Sequence, residues 1–286
     1  MHRVGLALLI SAFAFAQGSS PLIQTDWLAA HLNDPGLVIL HAGTAKDYEA
    51  GHISGARLIE ISAISQSGPG GLRVEMPAES ALRQALESLG VSNRSRVVVY
   101  AGTNSPVYAT RVWFTLDALG LGSRALLLDG GLPAWREAGH PVTAEVPAPA
   151  RGELQTSLQQ ERFVSADWIK ERLGNAQAAV LDARLPQYHS GADAGSMPRA
   201  GRIPGARNVP YPTLFDKDGR YLPPAELRRR IEVDGAKTYA VYCHIGVSAT
   251  TIYFAARLLG LDVKLYDGSF QEWSGRAELP VETTPK

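Results

Sequence analysis

The chain has a single cysteine, Cys243, and the residues around it are arranged as for a nucleophile. An apolar run, Tyr239-Ala240-Val241-Tyr242, ends at the thiol. His244-Ile245-Gly246-Val247-Ser248 follows, and a helical pattern begins at Ala249. A helix start leaves backbone N–H groups without intrahelical partners. A loop curling round the sulfur would aim those groups, and the helix dipole, at a thiolate. The same concavity would hold an anion. No proline interrupts His244 to Ala249, so every loop residue keeps its donor. A lone cysteine is otherwise a small buried hydrophobe, but here thiol, glycine and helix start coincide.

Other side chains join it as candidates. Arg184 closes Leu181-Asp182-Ala183-Arg184 at the C-terminal end of a predicted strand, the edge at which open α/β sheets bind ligands. Its guanidinium would fork onto sulfonate or carboxylate oxygens, with Asp182 orienting it. His244 would bind an anion when protonated, or assist proton transfer near neutral pH. Ser248 would cap the helix or donate to the sulfur. Trp135, Trp273 and His52 read as structural, and Arg199, Arg202 and Arg207 as solvated surface around a turn. A Cys-x5-Arg phosphatase closes a longer loop with an arginine on phosphate; here the first arginine after Cys243 is Arg257, well down the helix. Ser105 has no visible histidine and acid to activate it.

The elements that must position these groups occur twice. Gly51-His52-Ile53-Ser54-Gly55-Ala56 matches Gly201-Arg202-Ile203-Pro204-Gly205-Ala206, and Leu128-Asp129-Gly130-Gly131 through Trp135 matches Tyr266-Asp267-Gly268-Ser269 through Trp273. Apolar runs at 38–40, 97–100 and 125–128 read as buried parallel strands, and 78–89 and 108–119 as helices between them. Thr25 and Ser165 stand at equivalent helix N-cap positions. The fold class is therefore α/β, a mostly parallel sheet flanked by helices, made twice. The copies are chemically unequal: Ala101 stands where the second has Cys243, and Gly43 where it has Arg184. The expected organisation is an export signal at 1–16, a non-catalytic domain at 21–142, a Pro- and Ala-rich exposed linker at 143–162, and a catalytic domain at 163–286.

Composition narrows the function. Lys+Arg and Asp+Glu are both 28, so no basic field points to nucleic acid or a membrane surface. One cysteine permits no internal disulfide and leaves no resolving thiol. No His, Cys, Asp and Glu grouping has metal-ligand spacing, and neither metal nor cofactor is expected. Met1-His2-Arg3, the apolar run to Ala12 and Ala14-Phe15-Ala16 read as a secretory signal cleaved after Ala16. The run is short for a span of roughly 20 residues. An exported, periplasmic or secreted monomer with no membrane anchor after cleavage is expected.

Cys243-His244-Ile245-Gly246-Val247-Ser248 resembles the Cys-x-x-Gly-x-Ser/Thr active-site loop of the tandem-domain rhodanese family. Tyr266-Asp267-Gly268-Ser269 through Trp273 is similar to its Asp-Gly-Gly-x-x-x-Trp signature, with Ser269 for the second glycine. The resemblance runs from about residue 21 to 281. It implies two rhodanese-like domains, the first non-catalytic, and sulfane sulfur transfer from thiosulfate or a related donor, through a Cys243 persulfide, to cyanide or a thiol. It also implies that Arg184 binds the substrate anion with the backbone of His244 to Ser248. Mercaptopyruvate-using members carry a serine where this chain has Ile245, and thiosulfate-using ones tend to carry cations in the loop; His244 matches neither. The alternatives are a 3-mercaptopyruvate sulfurtransferase, or a sulfur carrier or sensor handing persulfide to a protein thiol.

Overall fold

The structure is a computed structural model and describes residues 20–284; the expected export signal lies outside them. In the first half, β1 (Leu22–Ile23), α1 (Thr25–His31), β2 (Leu37–Ala42), α2 (Ala45–Glu49), β3 (Ala56–Ile59), α3 (Glu79–Ser88), β4 (Arg96–Ala101), α4 (Val107–Ala118), β5 (Ala125–Leu128) and α5 (Gly131–Glu137) follow in order. The strands form one sheet in the order β1-β5-β4-β2-β3. The second half runs α6 (Ala166–Lys170), β6 (Ala178–Asp182), α7 (Pro186–Ser190), β7 (Arg207–Asn208), α8 (Pro224–Ile231), β8 (Thr238–Tyr242), α9 (Ala249–Leu258), β9 (Asp262–Leu265) and α10 (Ser269–Gly275). Its sheet has the order β7-β6-β8-β9. All strand pairs are parallel. Helices cover both faces of such sheets, which is why Val97-Val98-Val99 reads as a continuous apolar run and is wholly buried. The partner of β1 in the second half is a single parallel bridge, Phe163 to Leu265.

Two expectations need correction. Ser165 caps α6, accepting from the Trp168 N–H at 3.1 Å, but Gln24 occupies the equivalent place before α1 and Thr25 lies inside the helix. The connection between the halves is not a free tether. Residues 144–150 are mostly exposed, but the chain beyond is fastened along the first half. The Gly152 N–H donates to the Glu87 carbonyl at 2.8 Å, the Leu154 N–H to the Glu87 carboxylate at 3.2 Å, and Leu154 is 4% exposed.

One buried apolar cluster spans both halves, and each half has a further cluster of its own. Phe114 of α4 meets Phe163 and Tyr253 edge-on, at 5.2 and 4.7 Å between ring centres. The Thr110 and Thr250 hydroxyls, at matching places on α4 and α9, lie 2.9 Å apart. Asp117 accepts from the Tyr253 hydroxyl at 2.7 Å, with Arg162 and Arg257 Nε at 3.3 and 3.5 Å. The C-terminal ends of both sheets therefore abut along the α4–α9 seam, and Cys243 follows β8 at that seam.

Candidate active site

The loop after β8 is held by its carbonyls. The Cys243 carbonyl accepts from the Phe270 N–H at 3.0 Å, that of His244 from the Gln271 N–H at 2.9 Å, and that of Gly246 from Arg111 Nη1 at 3.1 Å. In a trans peptide the following N–H points opposite to the carbonyl. The N–H groups of His244, Ile245 and Val247 are thereby turned to the other side of the loop. No described residue accepts from any N–H between His244 and Ala249. Gly246 has φ +77°, and a Cβ there would stand 2.5 Å from the Asp267 carbonyl oxygen, so both backbone conformation and space demand glycine. The result is a row of unengaged donors beside the only thiol. Cys243 itself is 1% exposed and lies at the bottom of the site.

Ser269, which departs from the glycine pattern, has a task here. Its hydroxyl accepts from the Cys243 N–H at 3.2 Å and donates to the Tyr266 carbonyl at 2.8 Å, from a backbone at φ +52°. A non-glycine residue in that conformation stores strain that its surroundings must hold.

Arg184 stands beside the loop, but most of its fork faces inward. Nε and Nη2 donate to Asp182, Nη2 also to the Gly201 carbonyl at 2.8 Å, and the guanidinium lies 3.9 Å over the Phe270 ring. This corrects the expectation of a guanidinium free to fork onto a substrate; Nη1 alone has no hydrogen bond among the described residues. Asp182 is the hub. It also accepts from Tyr242 at 2.8 Å and meets His189 Nδ1 at 2.9 Å. Burial opposes its ionisation, but the His189 and Arg184 hydrogen bonds prevail and hold its carboxyl below the usual range.

His244 is not a cation near neutrality. Burial, then the Arg184 charge, push its pKa down to about 4, and its Nε2 is buried without a partner against the Tyr188 ring. Ile245 is half-buried and Val247 buried. Of the two roles expected for Ser248, capping is absent: it occupies the N-cap position of α9 with a backbone already helical at φ −69°, ψ −18° and makes no capping bond. It lines a cavity of about 450 Å³ shared with Gly43, Thr44, Thr103, Tyr108 and Tyr211. Arg199 and Arg202 are half-buried rather than solvated surface, while Arg207 is exposed as expected. Arg199 donates to four carbonyls at the end of α10, Arg202 binds Glu282, and Arg207 binds the carbonyls of Arg229 and Glu232. Trp135 and Trp273 are buried and donate to the Pro141 and Pro280 carbonyls.

In the first half, His41 stands where the second has Asp182, and Tyr100 where it has Tyr242; the two lie 2.9 Å apart. The His41 ring fills the space that a Cβ at Gly43 or Gly102 would need. That half contributes to the site in another way. Residues 66–76 form a strap closed by the Gln66–Glu75 bridge. Its Arg73 N–H donates to Gln271 Oε1 at 3.0 Å, and its Met76 N–H to Asp267 Oδ2 at 2.8 Å. Sequence reasoning missed Arg111 and this strap. The available signal was one arginine inside the apolar run of α4, where the second copy has Thr251.

The chain is similar to known proteins along nearly its whole length. The rhodanese-like domain family matches residues 24–138 and 165–276. A thiosulfate sulfurtransferase of Bos taurus is 33% identical, over 92% of this chain and 94% of its own length. The sulfur carrier protein TtuD of Thermus thermophilus is 32% identical, over 91% of this chain and 95% of its own. Among solved structures, SseA from Escherichia coli, a 3-mercaptopyruvate sulfotransferase, is 29% identical with a TM-score of 0.78, over 88% of this chain and 99% of that one.

Proposed function

The chain belongs to the rhodanese-like domain family, and from that we propose that it is a thiosulfate sulfurtransferase working through Cys243. The observation that carries this reading is the loop itself: a lone thiol at the foot of a row of unengaged N–H donors, on the turn that the family match covers. The Cys243 thiolate attacks the outer sulfur of thiosulfate. The sulfur–sulfur bond breaks, sulfite leaves with its electron pair, and the cysteine holds a persulfide. Cyanide or a thiolate then takes the outer sulfur, and the Cys243 thiolate returns with the pair. The chemistry is nucleophilic at both steps. The backbone donors of His244 to Ser248 would hold the anionic donor and stabilise sulfur anions as charge develops. Arg184 would contribute through Nη1.

The donor and the acceptor are the finer part of the proposal. The E. coli neighbour favours mercaptopyruvate as an alternative donor, while Ile245 and the neutral His244 offer its carboxylate no cation or hydroxyl in the loop. A second reading, a carrier that passes persulfide to a protein thiol, is favoured by the Thermus relative. Steady-state thiocyanate formation from thiosulfate and cyanide separates them. Sustained turnover supports the enzyme; a cysteine heavier by one sulfur atom with almost no turnover supports the carrier. The apolar start with Ala14-Phe15-Ala16 supports export to the periplasm or beyond. Sequencing the N-terminus of the protein recovered from its host would reveal an uncleaved Met1 if that is mistaken.

A further inference from the structure

One guanidinium from the first half joins two parts of the site in the second half to the strap of the first. Arg111 of α4 is wholly buried. Its Nη1 donates to the Gly246 carbonyl at 3.1 Å and to Asp267 Oδ1 at 2.5 Å, and its Nη2 to the Val74 carbonyl at 3.1 Å. Gly246 belongs to the cysteine loop, Asp267 to the turn before α10, and Val74 to the strap. The duplication shows what is particular here. Thr110 and Thr250 meet across the seam, so the next residues, Arg111 and Thr251, are counterparts. Thr251 turns its hydroxyl back onto the Ser248 carbonyl at 2.8 Å. At this pair of positions only the half without a thiol sends a cation across.

That cation has a direct effect on the loop. Gly246 is left-handed, so its carbonyl is turned out of the loop, toward the first half. A carbonyl in that direction needs a donor, and Arg111 is the donor. With the carbonyl fixed, peptide planarity sends the Val247 N–H the opposite way. Asp267, the carboxylate that neutralises Arg111, also receives the Met76 N–H. The rigid fork holds Gly246 and Asp267 through one nitrogen and Val74 through the other, a fixed two-nitrogen geometry that a single lysine ammonium does not reproduce.

We propose that Arg111 is a positioning residue for the nucleophile: from the non-catalytic half it fixes the Gly246 carbonyl against Asp267 and so keeps the loop donors turned to the Cys243 sulfur. The kinetic part rests on the sulfurtransferase reading; the chemical part does not.

The test uses the full chain with Arg111→Ala and Arg111→Lys. For Arg111→Ala we expect kcat for thiocyanate formation to fall about 10- to 100-fold, the loss of one or two charge-assisted hydrogen bonds, with KM for thiosulfate within about twofold. Alkylation of Cys243 by iodoacetamide at neutral pH slows about tenfold, because the thiolate loses its donors. Millimolar guanidinium restores part of both rates to Arg111→Ala by refilling the fork. Arg111→Lys recovers little, and it carries the test alone should the alanine variant unfold. A folded variant with the parent's kcat and alkylation rate overturns the proposal. So does a loss confined to KM, or a loss in folded Arg111→Ala that guanidinium leaves untouched. If the parent transfers no sulfur, the sulfurtransferase reading fails by itself, and alkylation with guanidinium rescue still decides the role of Arg111.

Discussion

A thiol that passes sulfur must be a strong nucleophile in one step and a good leaving group in the next, and Cys243 meets both needs through its neighbours' backbone. Cys243→Ser should keep the fold, since the change is small and the Ser269 contact uses the backbone N–H. It should abolish transfer, because a hydroxyl is not ionised near neutral pH. Thiocyanate formation within tenfold of the parent would end the covalent mechanism. Arg184 belongs to a different class of residue. It is the partner of a carboxylate with no exposed surface, so Arg184→Ala should cost about 3 kcal/mol of stability, as removal of one member of a buried pair does. Chemical denaturation of the variant measures this; an unaltered midpoint with a raised KM would leave Arg184 only its Nη1 contribution to substrate binding. His244 has a folded-state pKa of about 4, below its ordinary 6.5, with burial the main cause. The folded protein therefore binds fewer protons than the unfolded chain between those values. Stability should rise with pH across that window, and the penalty is complete below it. At neutral pH the ring is uncharged, so His244→Asn should leave the pH–rate profile without a lost inflection near 6.5.

At the scale of elements, the loop and the strap work as a pair. Gly246→Ala would force a side chain into a left-handed backbone and against the Asp267 carbonyl. The strained conformation alone costs about 1–3 kcal/mol, and the contact adds to it. The loop should give way before the fold does, with transfer lost and the melting transition lowered; a fully active Gly246→Ala protein would mean the loop does not need this geometry. Glu75 of the strap lies against Asp267, Glu272 and Arg111. Burial first, then the two carboxylates, raise its pKa from 4.5 to about 7, and its Oε1 has no partner. Here the folded state binds more protons than the unfolded one, so stability falls as pH rises from 4.5 to about 7. Glu75→Gln should remove that fall, seen by comparing denaturation midpoints at about pH 5 and about pH 8. Local features were legible in the sequence. Cys243, Gly246 and the start of α9 sit within one turn of chain, and strands such as Arg96–Ala101 declare themselves by unbroken apolar runs. Arg111 was not legible, because its partners lie 135 and 156 residues away. Nothing in the spacing of α4 distinguishes a buried cation that crosses a domain seam from one that faces water. Arg184 misled for a related reason. Its position at the strand end and its neighbour Asp182 were readable, but Gly201 and Phe270 converge on it only in three dimensions.

Across the whole molecule, duplication has divided the labour without dividing the structure. The first half has no thiol, and His41 fills the space next to Gly43 and Gly102. Yet it supplies the strap, Arg111 and half of the α4–α9 seam, including the buried Thr110–Thr250 and Tyr253–Asp117 contacts. The traffic is mutual: Asp129, the first half's counterpart of Asp267, accepts from the Tyr221 N–H of the second at 2.9 Å, and the Tyr221 hydroxyl donates to the Thr251 carbonyl. Each half thus closes the other's signature turn. Separation would expose Phe114, Tyr253 and Phe254, all essentially without exposed surface, at roughly 1.5–3 kcal/mol for each large apolar side chain. That exceeds what a covalent connection of exposed residues could be supplying. The stretch around Val146, which is 67% exposed and lies before the fastened segment at Gly152, is the natural place for a protease to cut. A single nick there should leave two fragments that co-elute on size exclusion under native conditions and keep most of the sulfur-transfer rate, while denaturant separates them. If the nicked halves part without denaturant, or stay together but lose activity, the seam is weaker than its buried contacts imply, and the connection itself is needed to hold the strap and Arg111 on the Cys243 loop.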